Sequence, residues 1–172
     1  MINLKVAEYL NRMNLAECPP ETQDIKINLA NRQKAIDDAN YGPLNPNEPN
    51  EDYWKRKAEQ FHSGDLEAAK SARCGNCGFF DIKKKTLDCI AKGIGGEDAW
   101  DTIEAGNIGL CLAFDFKCAA ARTCDAWLYG GPVTDEQPFS VEKLDIEPNP
   151  CWKGYEPYGL KPDGSPNCIP VK

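Results

Sequence analysis

The sequence is short of several things, and each shortage removes a class of function. It holds one histidine, His62, so a His-based catalytic set or an imidazole-rich zinc centre has almost nothing to build from. No run approaches the roughly 20 consecutive apolar residues that span a membrane. Residues 1–20 lack the charged start and apolar block of a secretory leader. Lys and Arg number 20 against 27 Asp and Glu, for a net charge of -7 and a pI of about 4.8. A counterion-releasing nucleic-acid surface is therefore not expected. The one short basic run, Lys83-Lys84-Lys85, reads as a solvated turn. There is no Gly-rich phosphate loop and no Ser/His/Asp constellation, and the carboxylates are scattered over solvated faces, so no enzyme is signalled.

What is present in quantity is cysteine, proline and glycine: 9, 13 and 14 in 172 residues. With a mean hydropathy of -0.56, this composition describes a loop-rich chain with a modest core. Such cores commonly need a staple, either a metal or disulfides. Without a leader the chain is expected to be made in a reducing cytoplasm, where clustered thiols point to metal or redox work before disulfides.

Helical spacing of Val6, Tyr9, Leu10 and Met13 predicts a short helix over 2–15, ended by Cys18-Pro19-Pro20. A second, surface-laid helix is expected from about Ile27 to Ala39. The proline-rich run from Tyr41 to Asn50 reads as an extended linker. Asn50 is a fair N-cap for a helix that turns Trp54, Ala58 and Phe61 to one side, with His62 at its end. Ser63-Gly64 stops it, and Asp65 caps a shorter helix through about Ser71. Glu97 to Glu104 reads as one more, with Trp100 and Ile103 inward and Gly106 ending it. Strand signal is thin; Phe79–Ile82 and Leu128–Tyr129 carry most of it. The expected fold is a small irregular α-rich domain with little β, organised around a metal cluster, with extended Pro-rich arms at both ends. The divisions are 1–50, a cysteine-rich domain over 51–132, and a C-terminal arm over 133–172, where Trp152, Tyr155 and Tyr158 are placed to anchor a partner.

The informative stretch runs from Cys74 to Trp127, where six of the nine cysteines and six of the sixteen aromatics fall within 54 residues. Thiols beside aromatic and small residues suggest a soft metal centre in an apolar shell. In Cys74-x2-Cys77 two thiolates can grip one metal or two corners of a cluster, and Gly75 and Gly78 let the turn aim amides at sulfur. A lone C-x2-C also serves zinc and dithiol chemistry. Structural zinc, disulfides or free thiols therefore stay open beside a [4Fe-4S] cluster. Cys89 and Cys118 can be ligands or buried small hydrophobes, Cys151 and Cys168 can close a loop, and Cys18 is expected to be unpaired. Lys117 and Arg122 flank candidate ligands and can offset thiolate charge.

Two resemblances sharpen this. Cys74-Gly75-Asn76-Cys77-Gly78-Phe79, followed by Gly109-Leu110-Cys111 and Cys124-Asp125-Ala126-Trp127, resembles the high-potential iron–sulfur proteins. That likeness implies one [4Fe-4S] cluster held by Cys74, Cys77, Cys111 and Cys124 and shielded by Phe79, Phe114 and Trp127. The gap before Cys111 is longer here than in that family and contains Cys89, and Cys118 falls between the last two, so Cys89 and Cys118 are alternative ligands. A wider stretch is similar to small proteins encoded by tailed phages, notably cyanophages, described as virion structural or high-potential-iron-sulfur-like. It runs from Tyr41-Gly42-Pro43-Leu44-Asn45-Pro46 through Ala72-Arg73-Cys74 to Phe114-Asp115-Phe116-Lys117-Cys118 and Trp127. It implies a virion component in the capsid, neck or tail, made in the host cytoplasm. Its partners would be other virion proteins, with many copies on a symmetric assembly and no nucleic acid or membrane. An electron carrier and a zinc-stapled binding module are the alternatives.

Overall fold

A computed structural model describes residues 18–45 and 47–137, together with the backbone of two strands between 155 and 170. The described part is a small domain, about half helical, with one three-stranded antiparallel sheet. In chain order the elements are α1 (Pro20–Gln23), α2 (Ile25–Ala39), α3 (Glu51–Phe61), α4 (Leu66–Ser71), β1 (Phe80–Asp81), α5 (Lys84–Ile94), α6 (Ala99–Gly106), β2 (Ile108–Cys111) and β3 (Phe116–Ala119). Strands β4 (Tyr155–Leu160) and β5 (Pro166–Pro170) pair antiparallel as a hairpin, so the C-terminal segment is not extended arm throughout. No helix among the described residues is long and apolar enough to cross a membrane. The helix expected over 2–15, Cys151, and the side chains of Trp152, Tyr155, Tyr158 and Cys168 lie outside the described residues.

Register explains why the sheet has one chemical face. Phe80 pairs with Cys111, Cys111 with Phe116, and Gly109 with Cys118. Partners in an antiparallel pair, and residues two apart along a strand, share a face. Phe80, Cys111, Phe116 and Cys118 therefore point the same way, while Asp81, Leu110 and Lys117 point the other. Leu110 and Phe116 are almost fully buried, each contributing roughly 1.5–3 kcal/mol through burial.

Helix α2 is capped by Asp24, whose side chain accepts from Lys26 N and Ile27 N, and it ends at Asn40 in the left-handed region. Its polar face completes the edge of the sheet. Lys117 N donates to Asn28 Oδ1 at 2.7 Å, and Asn31 Nδ2 donates to Asp115 O at 2.6 Å. Helix α5 starts where the sequence suggested only a turn. Asp81, fully buried, accepts from Lys83 N and Thr86 Oγ1 and so fixes its first turn, leaving Lys84 and Lys85 exposed. Gln23 Nε2 donates to Cys89 O, and α1 lies so close on α5 that a Cβ at Gly93 would stand 1.8 Å from Thr22 O.

Several expectations are corrected. Asn50 does precede its helix, but in the left-handed region and without a capping bond; its amide donates instead to the carbonyls of Asn45 and Glu48. Asp65 caps α4 as expected, accepting from Ala68 N. Trp100 is 41% exposed, so Ile103 faces inward together with Ala99 and not with Trp100. Leu128–Tyr129 forms no strand, only an isolated bridge from Cys77 to Tyr129. The linker at 41–50 is not free at its start. Tyr41, Gly42 and Pro43 are buried, and Gly42 exchanges both backbone hydrogen bonds with Thr123.

The largest correction concerns two cysteines. Cys18 is not unpaired, and Cys89 is not a ligand: they form a disulfide across a separation of 71 residues. Both belong to the α1–α5 contact, on the sheet face away from the other thiols. Closing a loop of that length removes denatured-state entropy worth about 4 kcal/mol in the chain-entropy account. Cys18→Ser is expected to lower unfolding stability by roughly 2–4 kcal/mol in urea titrations. Dithiothreitol should bring wild type down to the variant and leave the variant unmoved; a wild-type midpoint indifferent to reductant contradicts the pairing.

Candidate functional site

Two stretches of backbone carry three of the site's cysteines, Cys74, Cys77 and Cys124, and they are laced together before side chains enter. Residues Cys74–Asn76 form a single 3₁₀ turn, with Cys77 N donating back to Cys74 O at 2.9 Å. The turn hangs on the chain after β3. Cys74 N donates to Arg122 O at 2.6 Å, Gly75 N to Ala120 O at 2.9 Å, and Gly78 N to Leu128 O at 2.7 Å. The fit leaves no slack: a Cβ at Gly131 would lie 1.8 Å from Cys77 O. Asn76 locks the same junction. Its Oδ1 accepts from Arg73 N and from Trp127 Nε1, both at 3.0 Å, and its amide donates to Ser71 O. That gives a structural reason for Asn between the two cysteines and for Trp three residues after Cys124.

Among the described residues five cysteines are free: Cys74, Cys77, Cys111, Cys118 and Cys124. All five line one cavity, Cys74 and Cys77 from the turn, Cys111 and Cys118 from the sheet, and Cys124 from the loop. Phe79, Phe114 and Trp127 line it too, as do Tyr41, Phe80 and Phe116. The first three were singled out in the sequence. Tyr41 was missed because it lies in the segment taken for a linker; the signal was an aromatic ring immediately before a Gly-Pro pair. Phe80 and Phe116 were missed because their strands are too short to show alternation.

The sulfurs do not all meet the same surroundings. Cys77 Sγ accepts from Phe79 N at 3.5 Å and Leu128 N at 3.4 Å. Cys111 accepts from the amides of Ala113 and Phe114, and Cys124 from that of Ala126. Cys118 bonds instead to the thiols of Cys111 and Cys74. Its S–H donates toward Cys111, which raises the Cys118 thiol and lowers that of Cys111, burial adding to the first shift and opposing the second. Burial pushes the Cys77 thiol up to about 12, against the two amides, and raises Cys124 well above its ordinary value.

The donor set fits a thiolate-ligated centre, because backbone amides aimed at sulfur stabilise negative charge there. The space is another matter. It measures about 10 Å³, room for one water, so the thiol side chains must part to admit a cluster. Among the described residues, no group of three or more His, Cys, Asp or Glu side chains is arranged to hold a metal ion. A tetrahedral ion needs donors about 2.3 Å from a common point, whereas the Cys118 thiol is hydrogen-bonded to those of Cys111 and Cys74.

Positive charge reaches the site from a side not anticipated. Lys117 Nζ donates to Thr22 O on the opposite sheet face, and Arg122 donates to Pro43 O and Leu44 O, so neither is aimed at the thiols. Lys57, on α3, is 1% exposed, and its Nζ donates to Cys124 O at 2.7 Å. Burial lowers its pKa, while the negative charge of Asp125, and of Cys124 and Cys74 when ionised, opposes that shift. His62 ends α3 as expected, half-buried beside Trp127, and burial followed by Lys57 lowers its pKa.

The thiol shifts have a sign that can be tested in chelator-treated protein. A thiol held at about 12 in the fold and 9.0 outside it costs nothing below pH 9, where both states are protonated. Above that the unfolded chain ionises first, so stability is expected to fall steadily as pH rises from 9 toward 12. Thermal melts across that window check it; a flat profile contradicts buried neutral thiols. Gly131→Ala is expected to displace the Cys77 carbonyl, cost about 1–3 kcal/mol by overpacking, and speed the reaction of the thiols with a disulfide reagent at pH 8. Compared with models of protein families, with curated proteins and with solved structures, the chain finds no match in any of the three.

Proposed function

We propose that this chain is a structural component of a tailed-phage virion, in the capsid, neck or tail, whose small domain is held together by a thiolate-bound [4Fe-4S] cluster. The observation that carries the metal reading is the convergence of five free cysteines, from three separate parts of the fold, on one aromatic-walled cavity. Three of these sulfurs accept backbone amides, a contact that stabilises thiolate charge against the cost of burial. Cys74, Cys77, Cys111 and Cys124 would hold the group, with Cys118 as the alternative donor. When bound it supplies iron–thiolate bonds that tie turn, sheet and loop, coupling metal binding to folding. The virion role rests on the sequence resemblance over residues 41–127.

A second reading is an electron carrier. Cys111 is only half-buried and Phe114 beside it is half-exposed, which leaves one side of the site within reach of a redox partner. A zinc-stapled binding module is a third, differing in being colourless.

Anaerobically purified wild-type protein is expected to show a broad band near ~400 nm with about four iron and four sulfide per chain. Cys74→Ser and Cys124→Ser should lose that iron and melt at lower temperature. Iron-free wild type, or full loading of both variants, contradicts the cluster. Mass spectrometry of purified particles tests the virion role directly, since the chain must be found in them. A reversible one-electron couple in voltammetry, with no copy in particles, would select the electron carrier.

A further inference from the structure

Lys57 is a buried charge that forms no ion pair among the described residues. Among the described residues no carboxylate lies within ion-pair distance of its Nζ. Its one hydrogen bond goes to the neutral carbonyl of Cys124, and the Phe61 ring lies 5.4 Å away. The nearby carboxylate, Asp125, is already engaged: Arg56 reaches both its oxygens, at 3.1 and 3.2 Å, and Asn40 Nδ2 donates at 2.7 Å. Removing an ammonium from water costs several kcal/mol unless something negative compensates it, and a cavity-filling Leu or Met would avoid that cost at the same position. What Lys57 does face is the back of the thiol site, through the carbonyl of Cys124 itself. Helix α3 is fixed in that pose by Arg56 on Asp125 and by Trp54 beneath the Arg73 guanidinium at 4.2 Å.

We infer that Lys57 is the buried counter-charge of the thiol site, and that the site works with a net negative, thiolate-ligated metal centre. This rests on the metal reading above and adds a residue that the cysteine motifs do not contain. Lys57 is a positioning residue: it touches no ligand atom and acts by placing one positive charge behind Cys124. A positive charge there favours the form of the centre that carries more negative charge. Removing it should shift a cluster's midpoint to lower potential and loosen the metal.

The experiment compares full-length wild type, Lys57→Met and Lys57→Arg, each loaded anaerobically with iron and sulfide. Midpoint potential and the rate of iron transfer to a chelator are the readouts. Lys57→Met is expected to have the lower midpoint and to lose iron about tenfold faster, with Lys57→Arg close to wild type on both. Loss of the Cys124 hydrogen bond alone would lower the melting temperature of metal-free Lys57→Met without separating the variants by charge. If Lys57→Met does not fold, Lys57→Gln, which keeps a donor and drops the charge, takes its place. Should the site take zinc in place of iron, zinc transfer to chelator is read instead, with the same expected order. Equal potential and equal metal retention in Lys57→Met and wild type overturns the inference and leaves the cluster reading standing. Wild-type protein that takes up neither iron nor zinc overturns both.

Discussion

Everything at the thiol site depends on three backbone hydrogen bonds, from Cys74, Gly75 and Gly78 to the carbonyls of Arg122, Ala120 and Leu128. They join segments more than forty positions apart, without using a side chain. With the turn fastened to the loop, Cys74 and Cys77 face Cys124, and the sheet brings Cys111 and Cys118 up beneath them. Break that junction and the cysteines belong to separate pieces of chain. The absence of slack at Gly131 and the double duty of Asn76 follow from the same constraint: the turn admits one placement, and neighbouring atoms are set around it.

Charge is distributed to match. The shared proton of Cys118 and Cys111, the amides on Cys77 and Cys124, and the ammonium behind Cys124 all favour negative charge on sulfur or compensate it there. The aromatic wall keeps water out and makes each of these effects stronger than at a surface. The disulfide lies on the other side of the sheet and serves a different end, tying α1 to α5. The seven described cysteines thus separate into two kinds by location: a covalent tie at the periphery and a thiol set inside.

Local signals carried the helices that have them. Asp65 and Ser63-Gly64 marked α4 correctly, and the spacing of Trp54 and Ala58 gave the inward face of α3. Lys57 broke that pattern, since nothing in a charged residue between two apolar ones says that it is buried. Helix α5 was hidden because its N-terminal anchor, Asp81, sits in a strand and its first residues are lysines. Strands β2 and β3 are four residues each, too short for alternation to be read, yet they decide which cysteines share a face. The C-x2-C motif and the Cys-x2-Trp ending showed which residues meet. Which cysteines pair covalently was not legible, because Cys18 and Cys89 are brought together by packing of α1 on α5, with no motif around either.

The edges of the sheet have a consequence for how this domain meets its neighbours. On the β3 side Asn28 takes the amide of Lys117, and on the β1 side Val133 exchanges hydrogen bonds with Phe80 and Ile82. Among the described residues both rims of this sheet are thus partly occupied, which disfavours its extension by a strand from another molecule. Contact with other proteins is then better made through side chains, such as Ile25 and Leu29 standing out from α2, or through the hairpin of β4 and β5. A molecule built this way keeps its three-stranded sheet from fusing readily with that of a neighbouring copy.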